Sequence, residues 1–511
     1  MTSNADYKAS KEAFVSGMTG STVMHINLVS AVALSSIALH SCIRSRIFPM
    51  RSSYFVYEFI LLVVPLLLSV TLFANAPGIL SLLLLSPTVA LLFFPPRESG
   101  TPLPSNADSS PRNSPLLHTA SLSSGDTFAL PPLPSLSTYR AHMMLITILC
   151  ILAVDFPVFP RALAKCETYG MDLGVGSFVF SQGVVSAFPL LKDPLYLTSP
   201  LIPKATRTLR KMLPVILLGL VRVLLVKGTE YPEHVTEYGV HWNFFLTLAV
   251  IPVLEVFLHP LIAYSSVSMI GVLVALAQQL LLSLGLGSYV LYSPRTNLIS
   301  ANKEGIVSLT GYLAIHLLGL STGTILLPPS PSYFRHRQRA LSHTKRRVSN
   351  AGAANGEPPV KTQMPVLREN DKTATELISY AVIWWALLGA CTLLKIGGGV
   401  SRRMVNLPYI AWVAAYNTSF LLGYLLLDLY FFPSPLSRSV YSPTSKLKVH
   451  NTSRFVRSPA RLAAANGTTL TRGSQPQRPG RIFDGEHLEF HIVLLERRLS
   501  SVIHRPTSLR V

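Results

Sequence analysis

Residues 145–165 read LITILCILAVDFPVFPRALAK, an apolar run that ends in the carboxylate of Asp155 and is followed ten residues later by the amine of Lys165. Placing a charged side chain at membrane depth costs free energy, so such a residue suggests a functional site. Proline disfavours helical backbone in the residue before it, and Pro157 therefore predicts a helix that ends near Phe156. Asp155 is then expected in the last turn of that helix.

Long apolar runs separated by polar joints extend over most of the chain. The 511 residues are 49% hydrophobic and only 13% charged, which is typical of a polytopic membrane protein. Runs of about twenty apolar residues predict eleven spans. These are residues 25–43, 55–73, 79–94, 143–156, 173–191, 212–226, 242–258, 261–284, 305–327, 377–396 and 408–432. We therefore expect an all-α polytopic membrane protein.

The basic residues are distributed unevenly about these spans. The loops after the first, third, fifth and ninth spans and the segment after residue 432 hold 33 of the 44 lysines and arginines. By the positive-inside rule this side is cytoplasmic, so the N-terminus and Asp155 are expected on the lumenal side. The net charge of +20 thus reflects membrane topology, and the absence of a folded basic module argues against nucleic-acid binding.

One transmembrane domain over residues 25–432 is the simplest organisation. Residues 1–24 lack the pattern of a cleavable signal and are expected to form a lumenal segment. The loops 95–138 and 328–372 are rich in Ser, Pro or basic residues and are expected to be disordered. Residues 433–511 are predicted to be a basic, disordered cytoplasmic tail, because no run in them is long enough to cross a bilayer.

The pair Asp155 and Lys165 has two interpretations. Pro157 and Pro160 turn the chain, so Lys165 can fold back toward Asp155. Burial disfavours a charged carboxylate and a nearby ammonium favours it, and a balance of the two suits a general base. Alternatively, Asp155 lies at the interface and Lys165 extends to the headgroups without a role in chemistry.

Other polar residues near the spans also have functional and structural interpretations. Arg222 lies inside the sixth span, so it is either part of an ion pair or a contact for an anionic headgroup. His241, Trp242 and Asn243 enter the seventh span from the lumenal side. An aromatic belt explains the Trp but not the His or the Asn.

Two further features predict helix packing. Glu255 and His259 are four residues apart and are predicted to form a structural contact on one helix face. The glycines and serines of MDLGVGSFVFSQG, residues 171–183, would let a neighbouring helix or a ligand approach the backbone. The four cysteines show no CxxC spacing and indicate packing residues, not a metal site or a disulfide framework.

Several longer motifs occur in a fixed order, namely KEAFVSGMTG at 11–20, the 155–165 stretch, residues 171–183 and EYGVHWNFF at 237–245. Together with PYIAW at 408–412 and YNTS at 416–419, they resemble the GPI inositol acyltransferases, called GPI-anchored wall transfer proteins in fungi. The resemblance covers about residues 5–432. Members of that family close with a further apolar span, which this chain is expected to lack.

The resemblance implies an endoplasmic reticulum enzyme that transfers a fatty acyl group, such as palmitoyl, from acyl-CoA to the inositol 2-hydroxyl of glucosaminyl-phosphatidylinositol in GPI-anchor synthesis. Asp155 is then the expected general base, and Lys165 positions it or stabilises the oxyanion. No metal or cofactor is expected, with acyl-CoA as co-substrate. The other residues expected to contact substrate are Glu12, Ser16, Thr19, Arg161, Arg222, His241, Trp242 and Asn243.

Other functions remain compatible with the sequence. A lipid flippase or proton-coupled transporter also uses intramembrane charges, although no repeat relates the two halves. A scaffold that presents lipid to another enzyme needs no base at Asp155. An acyl-enzyme is disfavoured because the chain has no GxSxG elbow. The cytoplasmic basic run Lys204, Arg207, Arg210 and Lys211 either holds the CoA nucleotide or reflects topology and lipid headgroups.

Overall fold

The structure is a computed structural model that describes residues 10, 13–14, 21–47, 54–95, 133–160, 170–193, 196–227, 235–350 and 368–432. Each of the eleven predicted spans corresponds to a helical segment, which confirms an all-α polytopic membrane protein. The helices are α1 Val23–Arg46, α2 (Tyr54–Glu58, a π-helical turn Phe59–Val63, and Val64–Val70), α3 Pro77–Leu92, α4 Pro134–Asp155, α5 Gly170–Lys192, α6 Leu201–Lys227, α7 Val235–Tyr238, α8 Phe244–Ile262, α9 (Val267–Leu281, a π-helical turn Leu282–Leu286, and Gly287–Tyr292), α10 Leu298–Ala301, α11 Lys303–Leu326, α12 Tyr333–Asn350, α13 Asn370–Leu393 and α14 Leu407–Phe431.

Eight helices of the described ranges are long and apolar enough to cross a membrane, namely α1, α4, α5, α8, α9, α11, α13 and α14. The apolar helices α2 and α3 are shorter. Helix α6 has 27 residues, but four basic residues in its first half lower its hydropathy. The predicted break between residues 258 and 261 is misplaced, because α8 continues through Pro260 to Ile262 and the chain turns at residues 263–266.

The centre of the bundle is formed by α5, α11 and α14. In the most apolar part of α11, 78% of residues are buried, against 28% in the peripheral helix α13. Helices α5 and α11 are in direct backbone contact, since a Cβ at Gly183 would overlap the carbonyl of His316 and one at Gly319 would overlap the carbonyl of Phe180. The small residues of 171–183 therefore admit a neighbouring helix, as one of the two sequence interpretations predicts.

The cytoplasmic ends of the helices, named by the predicted orientation, are closed by helix α12. The prediction of a disordered loop over 328–372 is wrong for this part, because Tyr333–Asn350 forms a helix whose first residues are anchored. Tyr333 and Phe334 are buried. Arg335 pairs with Glu376 of α13 at 2.6 Å. A high density of Arg and Lys is compatible both with a loop and with an amphipathic helix.

Candidate active site

Helix α4 ends where the proline pattern predicts. Asp155 is its last residue, and the Phe156 N–H donates to the Leu152 carbonyl at 3.2 Å. Phe156 itself has extended backbone, as expected for a residue before Pro157. The predicted position of Asp155 in the last helical turn is confirmed.

The chain after Asp155 turns back onto the bundle. Phe156 and Val158 are exposed, whereas Phe159 is 7% exposed and packs with Ala153 and Leu66 in a small apolar cluster. Residues 161–169, which contain Arg161 and Lys165, and the side chain of Asp155 lie outside what the structure describes. The predicted proximity of Asp155 and Lys165 therefore stays a prediction.

An apolar cavity lies beside the end of α4. Its volume is about 480 Å³, including space open to the surroundings. The cavity is lined by Ser21, His25, Ile26, Val29, Ser30, Ser69, Val70, Ala74, Ile146, Cys150, Ala153, Phe159 and Pro160. Since Ala153 and Phe159 flank Asp155 in sequence, the cavity and the expected base belong to the same end of the bundle.

The cavity lies between the same ends of α1, α2 and α4 and extends along α4. Ile146 precedes Ala153 by seven residues, which corresponds to about 10 Å along α4. Its polar groups are few. Nε2 of His25 lies 2.6 Å from the Ala74 carbonyl and donates to it, and the Ser69 hydroxyl donates to the Leu66 carbonyl at 2.7 Å. The shape and lining suit an alkyl chain.

His241, Trp242 and Asn243 lie at the start of α8, and none of them lines this cavity. The backbone N–H groups of His241 and Trp242 donate to Oδ1 of Asn302, at 2.8 and 2.9 Å. The Asn243 side chain caps α8 by accepting from the Leu246 N–H at 3.1 Å. These contacts give the motif a structural role at the lumenal end of α8 and leave its role in substrate binding a prediction.

Arg222 and the cytoplasmic basic run have different environments. Arg222 is exposed on the outer surface of α6, five residues before that helix ends. In the basic run, Arg207, Arg210 and Lys211 are exposed. Lys204 is instead 5% exposed, and its Nζ donates to the Tyr196 carbonyl at 2.8 Å. The predicted site residues Glu12, Ser16 and Thr19 lie outside the described residues.

A buried ion cluster closes the lumenal side between α5, α7 and the segment before α14. Nε of Arg402 lies 2.5 Å from Oδ1 of Asp172, and Nη2 of Arg402 lies 3.1 Å from Oε2 of Glu237. Burial acts to lower the pKa of Arg402, but Glu237 and Asp172 keep that pKa well above its ordinary value. The Tyr238 hydroxyl accepts from Nη1 of Arg402 at 3.2 Å, and burial raises the pKa of this phenol.

A second lumenal cluster surrounds Glu304 at the start of α11. The Glu304 carboxylate is fully buried and pairs with Arg295 at 2.6 Å and with Arg403 at 3.0 Å. The Lys303 ammonium donates to the carbonyls of Ser293 and Tyr289, at 2.5 and 3.2 Å. All three cationic groups lie on the side of the membrane that the positive-inside rule leaves poor in Lys and Arg. That unusual location is the sequence signal that could have identified both clusters.

The predicted Glu255 and His259 contact is confirmed and belongs to a larger network. Oε1 of Glu255 accepts from Nε2 of His259 at 3.2 Å, and Oε2 accepts from Nε2 of His316 at 2.8 Å. Nζ of Lys204 donates to Nδ1 of His259 at 3.1 Å. The network joins α6, α8 and α11, so it has a structural function in the cytoplasmic half of the bundle.

Together these observations define a polytopic α-helical membrane protein with an apolar cavity beside the end of α4. The family model GWT1 matches residues 7–471 of the chain. GPI-anchored wall transfer protein 1 of Gibberella zeae is 38% identical over 482 residues, covering 89% of this chain and 88% of that protein. The protein of the same name from Aspergillus fumigatus is 40% identical over 447 residues, with 84% and 82% covered. The chain belongs to the GWT1 family.

Proposed function

We propose that this chain acts in GPI-anchor biosynthesis by transferring a fatty acyl group from acyl-CoA to the inositol 2-hydroxyl of glucosaminyl-phosphatidylinositol. The single observation that carries the proposal is the apolar cavity whose lining residues Ala153 and Phe159 flank Asp155. An acyl chain held there would bring its thioester toward the end of α4. Membership of a family whose members are named GPI-anchored wall transfer protein supports the choice of acceptor.

The reaction exchanges a thioester for an ester. The inositol 2-hydroxyl attacks the thioester carbonyl, and Asp155 takes the hydroxyl proton as general base. Lys165 stabilises the negative charge that develops on the carbonyl oxygen or positions Asp155. Collapse of the tetrahedral intermediate breaks the carbon–sulfur bond, and the CoA thiolate leaves and is protonated. Direct transfer requires both substrates to be bound at once.

The remaining proposed contacts concern the headgroup and the lumenal opening. Arg222, exposed near the lumenal end of α6, and Arg161 offer guanidinium groups for phosphate. His241, Trp242 and Asn243 are proposed to border the headgroup, and Glu12, Ser16 and Thr19 to form a lip over it. We place the enzyme in the endoplasmic reticulum membrane, with its partners acyl-CoA, glucosaminyl-phosphatidylinositol and the lipid bilayer.

The experiment incubates membranes that contain the chain with glucosaminyl-phosphatidylinositol and labelled palmitoyl-CoA. The lipid product is then treated with a phosphatidylinositol-specific phospholipase that requires a free inositol 2-hydroxyl. We expect resistant labelled lipid from the parent chain and a rate at least about 10²-fold lower from Asp155→Asn. Equal resistant product from both chains would remove Asp155 as the base. Labelled product that the phospholipase cleaves would place the acyl group elsewhere.

A membrane carrier is the second candidate, because buried ionisable groups are typical of proton-coupled transport. The Glu255 network is the observation that favours it. Both carboxylate oxygens of Glu255 are occupied by histidines, however, so the network is suited to holding helices together. A flippase would move labelled glucosaminyl-phosphatidylinositol across proteoliposomes without acyl-CoA and would form no acylated lipid.

A further inference from the structure

Three polar side chains lie near the predicted cytoplasmic ends of α1 and α2, away from the cavity beside α4. His40 precedes the end of α1 by six residues, which corresponds to about 9 Å along the helix. Tyr57 and Glu58 belong to the first five residues of α2. His40 is buried, and Tyr57 and Glu58 are partly exposed. The three side chains are therefore close to the depth of the phospholipid headgroups.

These side chains lie together without a direct hydrogen bond. Nε2 of His40 lies 4.0 Å from Oε1 of Glu58, which is too long for a hydrogen bond. The ring centroids of His40 and Tyr57 are 5.7 Å apart. Nε2 of His40 and the Tyr57 hydroxyl are both buried, and neither has a hydrogen-bond partner in the part of the chain that the structure describes. Buried polar atoms are nearly always hydrogen-bonded, so these two indicate a further partner.

Helix packing holds this cluster in place. Ser36 lies four residues before His40 on the same face of α1, and its hydroxyl donates to the Leu61 carbonyl. Leu61 belongs to the π-helical turn of α2 that directly follows Glu58. Turns of this kind occur frequently at functional sites. The face of α1 that contains His40 is thus fixed against α2 next to Glu58.

The Glu58 carboxylate requires a cationic partner. Within 4 Å of it, the described part of the chain provides one ionisable nitrogen, Nε2 of His40. Arg44 lies one turn further along α1 and has its guanidinium over the Phe432 ring, 5.2 Å from the ring centroid. A carboxylate at the edge of the membrane is costly unless a cation or several donors accompany it. The cluster therefore favours a cationic ligand.

All three side chains can accept hydrogen bonds. A carboxylate only accepts, a neutral imidazole accepts at one ring nitrogen, and a phenol oxygen accepts beside its own O–H. A primary ammonium has one positive charge and three N–H donors, so it matches the charge of Glu58 and the three acceptors. A quaternary ammonium has no N–H group and would leave the imidazole and the phenol unpaired.

We propose that His40, Tyr57 and Glu58 bind the primary ammonium of phosphatidylethanolamine in the cytoplasmic leaflet. A lipid is the source of the amine because Phe55 and Phe59, which flank the site on α2, are exposed and offer apolar surface to its acyl chains. The bound ammonium joins α1 to the start of α2. The site lies at the opposite end of α1 from the cavity, so it does not depend on the proposed acyl transfer.

The test equilibrates the purified full-length chain with mixed micelles that contain labelled phosphatidylethanolamine in phosphatidylcholine. The half-saturating mole fraction of the label is measured after affinity capture. Glu58→Gln should raise it at least about tenfold, because a charge-assisted hydrogen bond is lost. Tyr57→Phe, which keeps the ring, should raise it about threefold. Phosphatidylethanolamine with an acetylated amine should compete at least about tenfold more weakly than the unmodified lipid, because it has lost its positive charge.

The matched control is Glu376→Gln, which removes another partly exposed carboxylate on the same side of the bundle, one that is paired with Arg335. Binding close to that of the parent chain is expected from it. Equal losses from both Gln variants would assign the attraction to net charge and overturn the proposal.

Three competitors test the identity of the ligand. Equal competition by the acetylated and the unmodified lipid would show that no ammonium is bound, and this measurement on the parent chain decides the question if Glu58→Gln aggregates. Displacement of the label by an equal concentration of soluble ethanolamine would overturn the assignment to a lipid. Stronger displacement by glucosaminyl-phosphatidylinositol than by phosphatidylethanolamine would overturn it in favour of the proposed substrate, whose glucosamine also has a primary amine.

Discussion

The two lumenal regions of the bundle differ in how they are held together. The ends of α1, α2 and α4 border an apolar cavity with few polar contacts. The ends of α5, α7 and α11 are joined by buried ion pairs around Arg402 and Glu304. The first region has space for a ligand beside Asp155, and the second has its charged groups paired.

This difference separates the proposed substrate region from a supporting one. Helix α5 links the two, because it contacts α4 through Gly174 and Thr147 and contacts α11 through Gly183. Direct backbone packing between α5 and α11 leaves little freedom of movement. The packing of α5 on α11 and the ion clusters therefore hold the helices next to the cavity in place.

The largest effect is expected at Lys165, the proposed partner of Asp155. Lys165→Gln should lower the rate of acyl transfer about 10²- to 10³-fold, because the oxyanion loses its cationic donor. Lys165→Arg should recover part of the rate. Initial rates at saturating palmitoyl-CoA measure both. If the Gln variant has the parent rate, Lys165 has no role in the chemistry and extends only to the lipid headgroups.

On the supporting side, Arg402→Ala should destabilise the chain by about 3–5 kcal/mol, because it leaves Asp172 and Glu237 as buried, uncompensated charges. Thermal unfolding in detergent measures the loss. Arg335→Ala is the control, since the exposed pair with Glu376 should contribute less than about 1 kcal/mol. Similar losses from both variants would show that the Arg402 cluster does not stabilise this region.

Helix contact through glycine should give the next effect. Gly319→Ala forces α5 and α11 apart at the Phe180 carbonyl, and the expected cost is about 1–3 kcal/mol. Gly389→Ala in α13 is the matched control, because a Cβ there has no neighbour within 4 Å. Unfolding temperatures compare the two. Equal stability of both variants would contradict the tight contact between α5 and α11.

The smallest effect is expected from Asn243→Ala, which removes the side-chain cap of α8 and should cost about 1 kcal/mol. Asn243→Asp keeps the cap acceptor but loses the amide N–H that donates to the Gly219 carbonyl at 2.8 Å, so it should not recover the parent stability. If Asn243 also contacts the headgroup, the KM for glucosaminyl-phosphatidylinositol rises in the Ala variant. An unchanged KM would show that Asn243 has only a structural role.

The helices could be predicted from sequence because long apolar runs have few alternatives in a membrane. The end of α4 was predictable for a local reason, namely the proline after Phe156. The break between α8 and α9 was misplaced because Pro260 lies within α8 and is compatible with its last turn. Helix α12 was missed because composition alone does not distinguish a basic loop from a basic surface helix.

The candidate site was only partly predictable. The Asp155 position follows from one segment, whereas the cavity requires side chains from α1, α2 and α4, which are distant in sequence. The partners of Arg402 are equally distant, since Asp172 and Glu237 precede it by more than 160 residues. Hydropathy places residues at a membrane depth but does not give their lateral neighbours.

The central claim is that the cavity beside Asp155 holds the acyl chain, and the most direct measurement is chain-length preference. Val29 lines the cavity, and Met24 on the same helix is 64% exposed. The rates with C16 and C10 acyl-CoA are compared for the parent, Val29→Phe and Met24→Phe. We predict that Val29→Phe lowers the C16 to C10 ratio about tenfold while Met24→Phe leaves it unchanged. An unchanged ratio in folded Val29→Phe would contradict the claim and place the acyl chain elsewhere.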